Sequence, residues 1–206
     1  MFQDTKTKES NNSIILRKLL YNAAFNRNLK YHARRFLFYF IGYGCLDEFI
    51  FMTWAEMASN MKIPSSKNMH NCLKALYGSN YILKKRGITK VMSYKVQDPM
   101  VNEEAPGILI LNDPEKAEND YNNLKKLLYK AAINPELTAE CCRVLAYYSS
   151  IASFAEITVF SPIKQVHNLL ECSLSSLRDA IGLLKDYDLI KSEEGQLQHK
   201  ILLKKQ

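Results

Sequence analysis

A segment near the start of this 206-residue chain occurs a second time in its other half. The residues KLLYNAAFNRNL (18–29) return 108 positions later as KLLYKAAINPEL (126–137). At this offset, residues 18–84 align with 126–192 without gaps. Identical pairs include Lys18/Lys126, Leu20/Leu128, Tyr21/Tyr129, Ala24/Ala132, Leu29/Leu137, Arg35/Arg143, Tyr39/Tyr147, Glu48/Glu156, Leu76/Leu184 and Ile82/Ile190. Solenoid repeats have periods of roughly 20 to 50 residues, so this longer period predicts two copies of a small domain.

Each copy contains the same predicted order of helices and strands. Apolar residues at helical spacing predict a first helix near residues 13–26 and a second from about 30 to 42. A β-branched and aromatic segment follows, FIFM in the first half and ITVF in the second, and each is long enough for one strand. Two more helices and two strand-like segments around a turn complete each copy, the strand-like segments lying at 81–96 and 189–203.

Residues that commonly begin helices stand where these helices are predicted to start. Hydroxyl and carboxylate side chains accept hydrogen bonds from the first backbone amides, and proline fits the first helical position. The predicted starts are Thr53 with Glu56, Ser161 with Pro162, Asp113 with Pro114, and Thr138.

The last helix of each copy has one apolar face, with residues at i, i+3, i+4 and i+7. These faces are Met69, Cys72, Leu73 and Leu76 in the first copy, and Leu177, Ala180, Ile181 and Leu184 in the second.

Helix, strand, helix, turn, helix, strand, strand resembles the winged helix-turn-helix superfamily. The segments ALYGSNYI (75–82) and LLKDYDLI (183–190), which lead into the wing, are part of the resemblance. Tandem winged helices in one small chain are similar to plasmid replication initiators and to DNA-binding accessory or regulatory proteins of Gram-positive conjugative elements. The resemblance implies a mainly α fold with small β wings, in which two tandem winged helix-turn-helix domains, related by internal duplication, form a pseudo-dimer.

Composition then suggests domain boundaries. Residues 97–112 (QDPMVNEEAPGILILN) contain two prolines, a glycine and an acidic pair, which is typical of a connector. Its ILIL segment is apolar enough to pack as an added strand or against a domain face, so a freely swinging linker is not expected. The predicted division is a polar tail at 1–12, a first domain at 13–98, a linker at 99–112 and a second domain at 113–206.

Positive charge is concentrated in the first half. Residues 1–98 hold 16 Lys and Arg against 6 Asp and Glu, whereas residues 121–206 hold 11 against 9. Between them, residues 99–120 hold 1 against 6. A basic half on a helix-turn-helix scaffold is typical of a protein that binds the phosphate backbone of DNA.

Candidate DNA-binding residues lie on the polar face of the last helix and on the wing. Asn pairs with adenine, and Lys bonds guanine or phosphate, although every amphipathic helix also needs a solvated face. In the first copy the candidates are Lys67, Asn68, His70, Asn71 and Lys74 on the helix, and Lys84, Lys85, Arg86 and Lys90 on the wing, where Lys95 also lies. In the second copy they are Ser175, Ser176 and Arg178.

The second copy is less suited to DNA. Asp179 and Gly182 share the face of Ser175, and its wing carries Glu193 and Glu194. An acidic side chain near phosphate weakens binding. Either this copy binds DNA weakly, or its face binds a protein.

Other conspicuous residues have two interpretations. Arg27, Arg34 and Arg35 flank the second helix and either clamp phosphates or form a solvated rim. The aromatic residues around that helix are expected in the core rather than on a base-stacking surface, and Trp54 is expected in the core or at an interface. These aromatics are Phe36, Phe38, Tyr39, Phe40 and Tyr43.

Catalysis, metal binding and membrane insertion are not indicated. The chain lacks a glycine-rich phosphate loop, HExxH and GxSxG, so no enzyme activity is expected. Its five cysteines and four histidines have no metal-ligand or disulfide spacing, so we expect reduced core thiols, no metal and no cofactor. The longest nearly apolar run, FLFYFIGYGCL, is too short for a bilayer, and the N-terminus lacks a secretion signal, which predicts a cytoplasmic protein without membrane contact.

Two functions remain. The first is sequence-directed binding of double-stranded DNA by a monomer acting as a pseudo-dimer, with further oligomers allowed, in replication initiation, conjugative transfer or transcription regulation. The second is a protein-binding adaptor, similar to the tandem winged-helix subunits of chromosome-condensation complexes. Those subunits tend to be acidic, so the basic first half favours DNA, while the second half could still bind a protein partner.

Overall fold

The computed structural model describes residues 3–46, 48–63, 66–86, 92–97, 113–152, 159–160, 163–193 and 200–203. This part of the chain is mainly α-helical, with short antiparallel sheets. The first half contains α1 (Gln3–Phe25), α2 (Tyr31–Gly42), β1 (Ile50–Met52), α3 (Trp54–Met61), α4 (Ser66–Gly78), β2 (Ile82–Arg86) and β3 (Met92–Val96). The second half contains α5 (Pro114–Ile133), α6 (Ala139–Ile151), β4 (Val159–Phe160), α7 (Ile163–Leu170), α8 (Leu174–Asp186), β5 (Ile190–Glu193) and β6 (Lys200–Leu203).

The order of elements is therefore the same in both halves. Helices α4 and α8 have the same length, and their bounds differ by the repeat offset of 108. Asn80 (φ 58°) and Asp188 (φ 56°) are a further pair at that offset, and each turns the chain from the helix into the next strand. Asn and Asp adopt this left-handed conformation more readily than other non-glycine residues.

Each half has a small sheet whose middle strand is its last strand. The strand orders are β1-β3-β2 and β4-β6-β5, and all pairs are antiparallel. In the first sheet Ile50 pairs with Tyr94, and Ile82 pairs with Val96. The backbone amide of Val96 also donates to the carbonyl of Cys45 at 2.7 Å, which ties the sheet to the segment after α2.

Three predicted helix starts are confirmed. Thr53 and Glu56 form a reciprocal capping box at α3, Asp113 caps α5 ahead of Pro114, and Thr138 caps α6. Ser161 and Pro162 lie outside the described residues, as does the ILIL segment. Helix α1 begins at Gln3, ten residues before the predicted start, because residues 3–12 are all polar and have no apolar periodicity to mark a helix.

The first helix of each half packs against the second helix of the other half. Helix α1 lies against α6, α5 lies against α2, and α1 and α5 also contact each other. The buried faces of α1 and α5 consist of residues at equivalent positions, 108 apart in sequence. They are Leu16, Leu19, Leu20, Ala23 and Ala24 on α1, and Leu124, Leu127, Leu128, Ala131 and Ala132 on α5. Each half therefore packs its first helix against the other half, and one continuous apolar core includes residues of both.

Helices α2 and α5 approach each other closely at Gly42. A Cβ atom at this position would lie 2.5 Å from Cβ of Tyr129, which is shorter than real contacts allow. Ser150, the equivalent residue of α6, is also small and buried, and its hydroxyl donates to the carbonyl of Tyr147 at 2.6 Å. Small residues thus occupy the equivalent positions of α2 and α6.

The expected core residues are mostly confirmed. The apolar faces of α4 and α8, the five cysteines, and Phe36, Phe38, Tyr39 and Phe40 are buried, whereas Tyr43 is 46% exposed. Among the described residues, no helix combines the length and apolar character needed to cross a membrane.

Candidate nucleic-acid interface

Helices α3 and α4 follow one another in the first half, and α4 has one outward face. The capping box begins α3, and Lys62 ends it in the left-handed conformation (φ 52°). Ile63 is buried directly after this turn. Because the apolar side of α4 packs inward, its opposite side is left facing solvent.

This outward side of α4 presents His70, Asn71 and Lys74, all exposed as predicted. Lys67 and Asn68 also lie in α4, although their side chains are outside what the structure describes. Lys67, Asn71 and Lys74 follow the spacing i, i+4 and i+7, which places them on one stripe of the helix. We call this stripe, together with His70, the α4 face.

Strand β2 brings another cation next to α4. Lys84 on β2 is exposed, and its amino group lies 5.7 Å from the centre of the Tyr77 ring of α4. This cation–π contact directs the ammonium toward the helix while leaving it in water. Lys85 and Arg86 continue β2, and Lys95 is half-buried on β3. The side chains of Lys85 and Arg86, and all of Lys90, lie outside the described residues.

His70 has an aromatic neighbour that the sequence did not reveal. Its imidazole stacks on the half-buried indole of Trp54, with ring centres 6.3 Å apart and planes 18° apart. Trp54 begins α3 directly after the Thr53 cap. The stack therefore orients His70 and couples it to the first turn of α3.

The equivalent face of α8 is neutral to acidic. Ser175 and Arg178 are exposed and Ser176 is half-buried, but Asp179 and Asp186 are exposed beside them. The Ser173 hydroxyl caps α8 and lies 2.9 Å from the Ser175 hydroxyl and 2.8 Å from that of Ser176. The two candidate serines are thus partly engaged in the cap.

The interpretation of Arg34 and Arg35 as phosphate clamps or as a solvated rim is wrong. Both are buried, and their guanidinium groups donate to backbone carbonyls instead. Arg27 is exposed and forms an ion pair with Glu171 of the second half. A buried arginine of this kind is hard to recognise from sequence. Its acceptors are backbone carbonyls, which every residue has, so no acidic side chain in the sequence marks its partner.

Two buried cysteines, Cys72 and Cys142, are poorly suited to nucleophilic or metal chemistry. Burial raises the pKa of Cys72 to about 11, and burial with the neighbouring Cys141 raises the pKa of Cys142 to about 12. A thiol must lose its proton to act as a nucleophile or ligand. Among the described residues, no group of three or more His, Cys, Asp and Glu side chains is arranged to hold a metal ion.

Comparisons with protein-family models, with curated proteins and with solved structures found no match to this chain.

Proposed function

We propose that this protein binds double-stranded DNA in a sequence-directed manner, through two tandem winged helix-turn-helix units that arose by internal duplication. The chain would serve a mobile element in replication initiation, conjugative transfer or transcription regulation. One chain would then act as a pseudo-dimer and read neighbouring half-sites about one helical turn apart.

The observation that carries the proposal is the α4 face. Asn71 and Lys74 are exposed on the second helix of a helix-turn-helix unit, and Lys84 of the adjoining strand is held beside that helix. In this type of unit the second helix enters the major groove, and neighbouring cations contact phosphates. The net positive charge of the first half supports the same role.

A duplex-binding assay over a salt series tests the proposal. Fluorescence anisotropy with genomic and random duplexes is expected to show binding that weakens steeply with salt, because Lys and Arg release counterions from phosphates. Footprinting on the bound DNA would then locate the site. Affinity that does not change between low and high salt would reject the proposal.

A second candidate function is that of a protein-binding adaptor, and it rests on α8. Asp179 and Asp186 are exposed on the side of α8 that corresponds to the cationic side of α4. Such a face is suited to a basic protein partner, and the two functions combine if only α4 binds DNA. Protection of two half-sites would assign α8 to DNA, whereas protection of one would leave it for a protein.

A further inference from the structure

Arg35 on α2 joins the two halves at a helix end. It is buried, and its guanidinium Nε and Nη2 donate to the carbonyl of Ala132 at 3.0 and 2.7 Å. Nη2 also donates to the carbonyl of Met61 at 3.0 Å. Ala132 lies at the end of α5, in the second half, and Met61 is the last residue of α3.

Arg143 on α6 makes the equivalent contacts in the opposite direction. Its Nε donates to the carbonyl of Ala24 at 3.3 Å, and its Nη2 donates to the carbonyl of Leu170. Ala24 lies at the end of α1, in the first half, and Leu170 is the last residue of α7. Arg143 corresponds to Arg35, and Ala24 to Ala132, at the offset of 108.

Each arginine thus binds two helix C-termini at once. The last carbonyls of a helix have no partner within it, and the helix dipole makes this end negative. A planar guanidinium offers several donors in a fixed geometry, so it can satisfy carbonyls from two helices.

Among the helices held in this way, α3 and α7 come directly before the candidate DNA-binding helices α4 and α8. Met61 and Leu170 directly precede the turns that lead into α4 and α8. We propose that Arg35 and Arg143 are positioning residues, which fix each helix-turn-helix unit to the first helix of the other half and so set the orientation of α4 relative to α8. Any effect of this role on DNA binding rests on the proposed function. The effect on helix orientation does not.

Distances between spin labels on α3 and α7 test the positioning directly. Ser59 and Asn168 are exposed on these helices, and labels at S59C and N168C react selectively because all five native thiols are buried. With Arg35 and Arg143 intact, we expect a single narrow distance distribution. The double variant R35M/R143M should give a broadened or shifted distribution, and R35K/R143K an intermediate one, because lysine keeps the charge without the fork.

Arg34 provides a matched control. It is also a buried arginine of α2, but it donates to the carbonyls of Ala23 and Asn26, which belong to the loop and helix directly preceding α2. R34K should lower stability but change the label distance less than R35K/R143K does, because both carbonyls that Arg34 binds lie in the first half. If R35K/R143K, or R35M/R143M where it folds, gives the same distribution as the parent protein, the positioning role is rejected.

DNA binding separates this inference from the proposed function. If the function holds, folded R35K/R143K should lose roughly tenfold or more affinity for the footprinted duplex, and R34K should lose less. Absence of salt-dependent duplex binding by the wild type would reject the function, while the label distances would still decide the positioning role.

Discussion

Arg17 of α1 and Asp120 of α5 form an ion pair in which both side chains are completely buried. The Arg17 guanidinium also donates to the carbonyls of Ser149 and Ala152 at 2.9 and 2.6 Å, at the end of α6. One arginine of the first half is therefore bound by two helices of the second. Together with Arg35 and Arg143, it gives the interface between the halves a polar framework inside an apolar core.

Removing the Asp120 carboxylate should destabilise the protein strongly. Asp120→Ala leaves the Arg17 cation buried without its counter-charge, and breaking a buried pair in this way typically costs about 3–5 kcal/mol. Urea denaturation followed by circular dichroism measures the free energy of unfolding. Replacing both partners by apolar residues, as in R17M/D120L, should recover part of that loss.

The exposed pair between the halves is the control. Arg27 and Glu171 are 67% and 64% exposed at their side chains, so Glu171→Ala should change stability by less than about 1 kcal/mol. Similar losses for Asp120→Ala and Glu171→Ala would show that burial does not set the strength of the inner pair.

Gly42→Ala should also be destabilising. The new methyl group would lie 2.5 Å from Cβ and 2.9 Å from the backbone nitrogen of Tyr129, so α2 and α5 would have to move apart. Overpacking of this kind typically costs about 1–3 kcal/mol. A lower melting temperature by calorimetry, without a change in oligomeric state, is the expected result.

Gly182→Ala is the matched control in the middle of α8. No atom lies within 4 Å of its added Cβ, and alanine lowers the entropy of the unfolded chain. It should stabilise the protein by about 0.4–1 kcal/mol. A stabilising effect of both substitutions would contradict the close packing of α2 on α5.

The sequence predicted the elements better than their partners. Hydrogen-bonding side chains at helix starts act locally, so the caps at Thr53, Asp113 and Thr138 could be identified directly. Apolar periodicity likewise identified the buried faces. It did not predict that α1 packs on α6 and α5 on α2, because a periodic face shows that a helix is covered without showing which helix covers it.

Exposure within the candidate site could be predicted only in part. The outward positions of His70, Asn71 and Lys74 follow from the opposite apolar face of α4. The stack of His70 on Trp54 could not be predicted, because it depends on how α3 crosses α4. The burial of Arg35 depends on helix ends that are distant in sequence. In the sequence, its role was indicated only by the presence of arginine at the equivalent position 143.

Stability should fall in alkaline solution because of Cys142. Burial, followed by the neighbouring Cys141, raises the pKa of this thiol from 9.0 to about 12. The folded state therefore keeps a proton that the unfolded state loses, so this contribution is complete below pH 9 and is lost as pH rises toward 12. The slope should reach about 1.4 kcal/mol per pH unit above pH 9.

Urea denaturation at pH 8, 9 and 10 measures this slope. Cys142→Ala removes the titrating group, so its free energy of unfolding should fall less over the same range. Equal slopes for wild type and variant would mean that Cys142 is accessible to water or titrates near its ordinary value.

If the protein binds DNA as proposed, substitutions on the α4 face and on strand β2 should affect that binding differently. Asn71→Ala removes a candidate base contact and should weaken binding to the footprinted duplex by about 1–3 kcal/mol, with little effect on random DNA. Lys84→Ala removes a candidate phosphate contact, so it should weaken binding to all duplexes alike and reduce the salt slope by about 1. Lys84 is exposed and contacts the Tyr77 ring outside the core, so the substitution should leave the fold unchanged. Anisotropy titrations with both duplexes at several salt concentrations supply the measurement. Equal losses on footprinted and random DNA from Asn71→Ala would show that the α4 face contacts only phosphates, and sequence reading would then have to be assigned elsewhere.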